Sequence, residues 1–176
     1  MSEITLLALD HAAAASLASD PAVFAGRHAL ALAPHEPTVV AIAVNTAHML
    51  AAGGGRTQWG GYLAVEGPRR RVVGACGFKG GPGGDGAVEI AYFTFPGEEG
   101  RGIATAMVAA LVDVASAGGS EVAVVRAHTL PERNASCRAL EKAGFLHAGH
   151  VTDPEDGPVW RWERPVRAPR SDAPAV

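Results

Sequence analysis

The stretch Ala87-Val88-Glu89-Ile90-Ala91-Tyr92-Phe93-Thr94-Phe95, then Pro96-Gly97-Glu98-Glu99-Gly100-Arg101-Gly102 and Ile103-Ala104-Thr105, decides the fold. Its first part alternates: Val88, Ile90 and Tyr92 point one way and Glu89, Ala91 and Phe93 the other, the two-residue period of a strand. Past the glycines, Ile103, Met107, Leu111 and Val114 mark one face of a helix that Gly118-Gly119 stops. Strand, glycine-rich turn and helix form a device for holding phosphate. The first four N–H groups of a helix lack intrahelical partners, and the helix dipole places partial positive charge at that end. Gly100 and Gly102 carry no side chain to keep an anion away, and Arg101 adds charge. A dinucleotide fingerprint needs a third glycine and a downstream acid, and a P-loop needs Gly-Lys-Ser/Thr; the segment has neither pattern.

Outward from this segment, Ile4 to Leu9 reads as a first strand. Residues 11–33 read as a helix, a turn at Pro21 and a shorter helix. Pro37 to Ala52 reads as another helix, with Pro37 in its first turn and Gly53-Gly54-Gly55 ending it. Tyr62 to Val65 and Arg71 to Phe78 are short strands, separated by Glu66-Gly67-Pro68. The loop Gly80 to Gly86 resembles a phosphate cradle only in glycine content. Pro82 lacks an N–H and no helix follows, so a hairpin loop is the better reading. Val122 to His128 is a strand. Asn134 caps a helix to Ala143, with Gly144 as left-handed terminator and Phe145 packing back. Phe145 to Val151 and Val159 to Glu163 close a single α/β domain over residues 1–163, and 164–176 reads as a flexible tail.

Composition narrows the classes. The chain of 176 residues is 48% apolar and 19% charged, which describes a globular domain. Net charge is −3 and no basic stretch precedes residue 161, so nucleic acid is not an expected partner. Cys76 and Cys137 are too few for a disulfide framework. The N-terminus has no positive region, and Asp10 and His11 interrupt its apolar run, unlike a signal peptide. No window approaches the roughly 18 uninterrupted apolar residues of a membrane span. The expectation is a cytoplasmic protein with no membrane partner.

Glu99-Gly100-Arg101-Gly102-Ile103-Ala104 resembles the acetyl-CoA signature Gln/Arg-x-x-Gly-x-Gly/Ala of the GNAT superfamily of N-acetyltransferases. Leu130-Pro131-Glu132-Arg133-Asn134-Ala135-Ser136-Cys137-Arg138-Ala139-Leu140-Glu141-Lys142-Ala143-Gly144-Phe145 resembles that family's second conserved segment. Its ending is most like the branch of the ribosomal-protein-alanine N-acetyltransferases. The likeness covers about residues 60–163, and both motifs fall on the right elements at the right spacing. It implies an α/β (α+β) GNAT fold: a mixed, mostly antiparallel sheet splayed between strands four and five, with helices on both faces. It implies acetyl-CoA as co-substrate and direct transfer to a primary amine, on a protein N-terminus or a small molecule, with a homodimer as an option. Backbone groups of Phe93, Thr94 and Phe95 would pair with the pantetheine, and amides of Gly100, Arg101, Gly102, Ile103, Ala104 and Thr105 would bind the pyrophosphate.

Acetyl transfer to an amine needs a neutral nucleophile, a polarised thioester and a proton for the leaving thiolate. Glu89 is the candidate base or water-positioner, because apolar strand neighbours would raise its pKa; the alternative is a carboxylate facing water or binding substrate. Three positions depart from the family pattern. Glu99 stands where Gln or Arg is preferred, and a carboxylate opposes a pyrophosphate unless it points away. The usual coenzyme-binding Asn position falls on Arg133, so Asn134 either reaches the coenzyme or only caps its helix. The usual thiolate-protonating Tyr is Leu140, which leaves Ser136 as the substitute donor or as a plain helix-start serine. These losses support a rival reading, a non-catalytic acyl-CoA-binding module.

The remaining polar residues attract weaker readings. Cys137 sits in a first helical turn, but a buried inert thiol is the preferred reading. His147 and His150, three apart on a strand, face opposite sides unless a bulge intervenes, so no metal site is expected. His128, at a strand end, faces either the acceptor or solvent. Trp160 and Trp162 share one strand face, in the core or on an acceptor wall.

Overall fold

Period-two apolar runs assemble into one seven-stranded sheet, described, in a computed structural model, for residues 3–52, 56–154 and 156–166. Along the chain the elements are β1 (Ile4–Ala8), α1 (His11–Ser19), α2 (Pro21–His28), α3 (Glu36–Ala52), β2 (Gly61–Glu66), β3 (Arg71–Phe78) and β4 (Ala87–Thr94). They continue with α4 (Ile103–Ala117), β5 (Val124–Thr129), α5 (Ala135–Lys142), β6 (Leu146–Asp153) and β7 (Gly157–Pro165). The strand order is β1-β2-β3-β4-β5-β7-β6. Every pairing is antiparallel except β4 with β5.

Local signals explain the breaks. Asp10 accepts from Ala13 N at 2.7 Å and Asp20 from Val23 N at 3.0 Å, so two carboxylate caps and Pro21 divide the Ala-rich segment into α1 and α2. Helices cover both faces, as expected. On one side Leu17, Phe24 and Val39 pack over Leu63, Val65 and Phe95. On the other Met107, Leu111 and Leu140 pack over Val73, Val88 and Val125. Burial of these side chains, at roughly 1.5–3 kcal/mol each, holds the layers together.

The feature that makes a site is the parting of β4 from β5. Their parallel ladder runs only from Ala87–Val124 to Ile90–Ala127, while β4 stays paired with β3 as far as Thr94. From Ala91 onward β4 therefore presents an unpaired edge toward the gap.

The start of β5 and the end of β7 differ from the sequence reading. β5 starts at Val124, because Gly119–Glu121 forms a 3-10 turn before it. β7 continues past Glu163 to Pro165 because Val124 and Val125 are there to pair with it, and Val166 N still donates to Ala123 O at 2.9 Å. The rest of the expected tail, 167–176, and the glycines 53–55 lie outside the described residues. In β6 a register shift between His147 and Gly149 supplies the bulge that the alternation rule had set as its exception. Both rings now contact Trp160, His147 edge-on and His150 tilted, with 5.4 Å between the two histidine centroids. Among the described residues, still, no group of three or more His, Cys, Asp or Glu could hold a metal.

Candidate active site

The loop after β4 and the first turn of α4 wall a cleft of about 380 Å3, closed on its far side by α5. Gly100 and Gly102 have φ of 75° and 81°, a conformation that disfavours any side chain, and a Cβ at either would meet no protein atom within 4 Å. The turn thus needs glycine for its backbone and leaves open space beside it. Gly102 supplies no capping side chain, and the bond Ala106 N to Gly102 O (3.0 Å) opens the helix ladder. The N–H groups of Ile103, Ala104 and Thr105 are left as the free donors of the helix start, on the cleft wall. Thr94 Oγ1, also in this cleft, is buried without a partner among the described residues. Unused donors at a helix start and an orphaned hydroxyl fit a phosphate-bearing coenzyme.

The Arg101 side chain does not line this cleft. Its guanidinium is held by Glu66 and Glu98, and the Glu66 hydrogen bond raises its pKa. Arg71 also pairs with Glu98, so the loop is tied down by a charged cluster. Glu99 does line the cleft, but its Oε2 accepts from Gly97 N at 2.7 Å, which directs that charge to the turn. Opposite the loop, α5 turns Ala135, Ser136, Arg138, Ala139 and Lys142 to the cleft. Arg138 and Lys142 are one helical turn apart on that face, and they supply the positive charge that Arg101 does not.

The strand edge corrects two of the expected coenzyme contacts. Phe95 N donates to Val73 O and Phe95 O accepts from Glu98 N, both at 3.0 Å, so neither backbone group is free. Glu89 O accepts from Lys79 N at 2.9 Å, which sets the parity: odd-numbered residues of β4 address β3 and even-numbered ones address the gap. Thr94 lines the cleft. Phe93 contributes its side chain, 51% exposed, and the open backbone groups belong to Tyr92 and Thr94.

Asn134 acts as the cap of α5, accepting from Cys137 N at 3.0 Å. It does not line the cleft. Leu140 is fully buried, and Cys137 is buried with its Sγ donating to Glu132 O at 3.3 Å. Ser136 lies on the cleft wall, and its carbonyl accepts from the hydroxyl of Tyr92 at 3.2 Å. Burial pushes the Tyr92 hydroxyl up to about 12, so it keeps its proton.

A model described as Acetyltransferase (GNAT) domain matches residues 3–146. The chain belongs to the GNAT acetyltransferase family. That makes it an acetyltransferase whose acetyl donor is acetyl-CoA. Solved structures agree on the fold. One is an aminoglycoside acetyltransferase in complex with coenzyme A and kanamycin, 21% identical, TM-score 0.60, covering 93% of this chain and 95% of that one. A ribosomal alpha-N-protein acetyltransferase in complex with coenzyme A is 14% identical, TM-score 0.65, covering 94% and 96%. A spermidine N-acetyltransferase chimera from Vibrio cholerae is 14% identical, TM-score 0.61, covering 92% and 95%. No curated protein matches in sequence. No helix among the described residues is long and apolar enough to cross a membrane.

On the opposite face of this GNAT sheet, Glu89 does not have the apolar surroundings expected of it. Its Oε1 lies 2.7 Å from Lys79 Nζ and 3.1 Å from His128 Nδ1. Strand alternation hid both, because one directly follows β3 and the other comes from β5. Burial alone would lower the pKa of Lys79, but the hydrogen bond and charge of Glu89 outweigh it and raise the value. His128 Nε2 is buried without a partner among the described residues. Sequence reading missed Tyr92 as a proton-bearing group and Lys79 as a partner. For Arg138 and Lys142 the i, i+4 spacing was visible, but not the direction of the face.

Proposed function

We propose that this GNAT acetyltransferase carries the acetyl group of acetyl-CoA directly to a primary amine at the point where β4 leaves β5. The observation that supports it is the meeting of two clefts there, one beside the glycine turn and one beside α3, which share Tyr92 and Phe93 as a common wall. The coenzyme supplies an activated thioester. In this reading the amides of Gly100 to Thr105 hold its pyrophosphate, with Arg138 and Lys142 beside them, and backbone groups of Tyr92 and Thr94 take its amides as an added strand would.

Proton work divides between the faces. Glu89, tied to Lys79 and His128, holds the position of base or water-positioner on the acceptor side. Tyr92 holds a proton at its hydroxyl against α5, with the Ser136 hydroxyl as relay, and takes over from the acid that Leu140 lacks. Support for the amine acceptor comes from relatives of the same fold named for aminoglycoside, spermidine and protein N-termini. Two buried free thiols support a reducing, cytoplasmic setting.

Calorimetry with acetyl-CoA tests the first half; no binding at millimolar concentration would end the proposal. Thiol release across an amine panel tests the second half, and binding without turnover on any amine would favour a non-catalytic module.

A further inference from the structure

The cleft on the α3 side is about 340 Å3, near the low end of small-molecule sites, which span roughly 300–1,000 Å3. Helix α3 turns Ala41, Ile42 and Met49 into it, and the strands add Ala75, Ala91 and Phe93. Met49 is 41% and Phe93 51% exposed, so apolar surface stands uncovered beside the coenzyme cleft. The polar lining is neutral, from Thr38, Asn45 and Thr46, apart from one charge, Lys79. No carboxylate among the described residues lines it, and Glu89 is held by the Lys79 ammonium at 2.7 Å.

Resting on the acetyl-transfer reading above, we infer that the acceptor is a small primary amine carried on an uncharged apolar body of about arylalkyl size, and that polycationic amines are rejected. Each ammonium that loses its water needs a compensating carboxylate, and this cleft offers none free. A single amine fares differently, because apolar surroundings lower its pKa and favour the neutral nucleophile. The amine nitrogen bonds to the acetyl carbon as the C–S bond breaks. The nitrogen loses one proton and the thiolate gains one, leaving an amide and a free thiol. The apolar body meanwhile covers Met49 and Phe93.

The test uses the full chain with acetyl-CoA and follows thiol release. With phenethylamine or tryptamine, kcat/KM is expected at least tenfold above that with spermidine or kanamycin, and above that of a short peptide beginning with Phe. Ala41 is exposed on α3, so its variants should fold. Ala41→Trp is expected to raise KM for phenethylamine tenfold or more with acetyl-CoA binding unchanged, and Ala41→Glu to shift preference toward spermidine. A preference for spermidine or kanamycin, turnover of the peptide alone, or an unchanged KM in Ala41→Trp overturns the inference while acetyl transfer stands. Failure of acetyl-CoA to bind strikes the acetyl-transfer reading instead. Direct titration of phenethylamine into wild-type and Ala41→Trp protein then still reads the cleft: equal affinity overturns it.

Discussion

The hydroxyl of Tyr92 donates to the backbone carbonyl of Ser136 across 3.2 Å, joining the free edge of β4 to the first turn of α5. Two residues 44 positions apart thus meet on the wall of the cleft beside the glycine turn. If Tyr92 supplies the proton, Tyr92→Phe lowers kcat about 10²-fold, within the range for general acids, and leaves acetyl-CoA affinity within a few-fold. Ser136→Ala keeps the carbonyl and should cost less, under about tenfold. Steady-state kinetics beside calorimetry checks both. Equal, small losses would remove Tyr92 from the chemistry.

Glu89→Gln keeps the shape of the Lys79–Glu89–His128 cluster and removes its negative charge. A base or water-positioner of this kind contributes about 10²-fold or more, so kcat/KM should fall by that order while acetyl-CoA binds as before. Full activity in this variant with a good acceptor would show that Glu89 does not act in transfer.

Gly102→Ala forces a side chain into φ 81° at a cost of about 1–2 kcal/mol and puts a methyl in the space left beside the helix start. Acetyl-CoA binding should weaken about tenfold or more, with an unchanged circular dichroism spectrum. Arg138→Ala and Lys142→Ala should also weaken binding and flatten its dependence on salt, because their contribution is charge. Arg101→Ala, whose guanidinium faces Glu66 and Glu98, should act on the thermal midpoint more than on affinity.

Asn134→Ala separates a cap from a coenzyme ligand. Losing the bond to Cys137 N should cost about 1 kcal/mol and lower Tm by about 3 °C, with acetyl-CoA affinity unchanged. A large loss of affinity at constant Tm would reverse the assignment.

Burial pushes the Cys76 thiol up to about 12 from its ordinary 9.0. The folded chain therefore keeps a proton that the unfolded chain releases above pH 9. The associated stability is fully present below that pH and is lost as pH rises toward 12, at up to about 1.4 kcal/mol per pH unit. Tyr92 adds in the same direction from pH 10 upward. Tm should fall steadily between pH 9 and 11, and Cys76→Ala should show a shallower fall from a lower starting value at pH 7.

The alternation from Val88 to Phe93, the glycines at 100 and 102 and the Asn134–Gly144 frame were legible in the sequence because strand period, left-handed turns and helix caps are local matters. They determined the glycine turn before α4, the order of elements and the family. Which backbone edge of β4 stays open was not legible, since parity depends on the hydrogen bonds from Phe95 to Val73 and from Lys79 to Glu89, across from β3. The charge around Glu89, the diversion of Arg101 to Glu66 and the contact between Tyr92 and Ser136 likewise join residues far apart in sequence. A residue's local pattern tells which way its side chain faces. Only packing against other strands and helices decides what it meets there, and so which residues hold the proton, the charge and the open cleft.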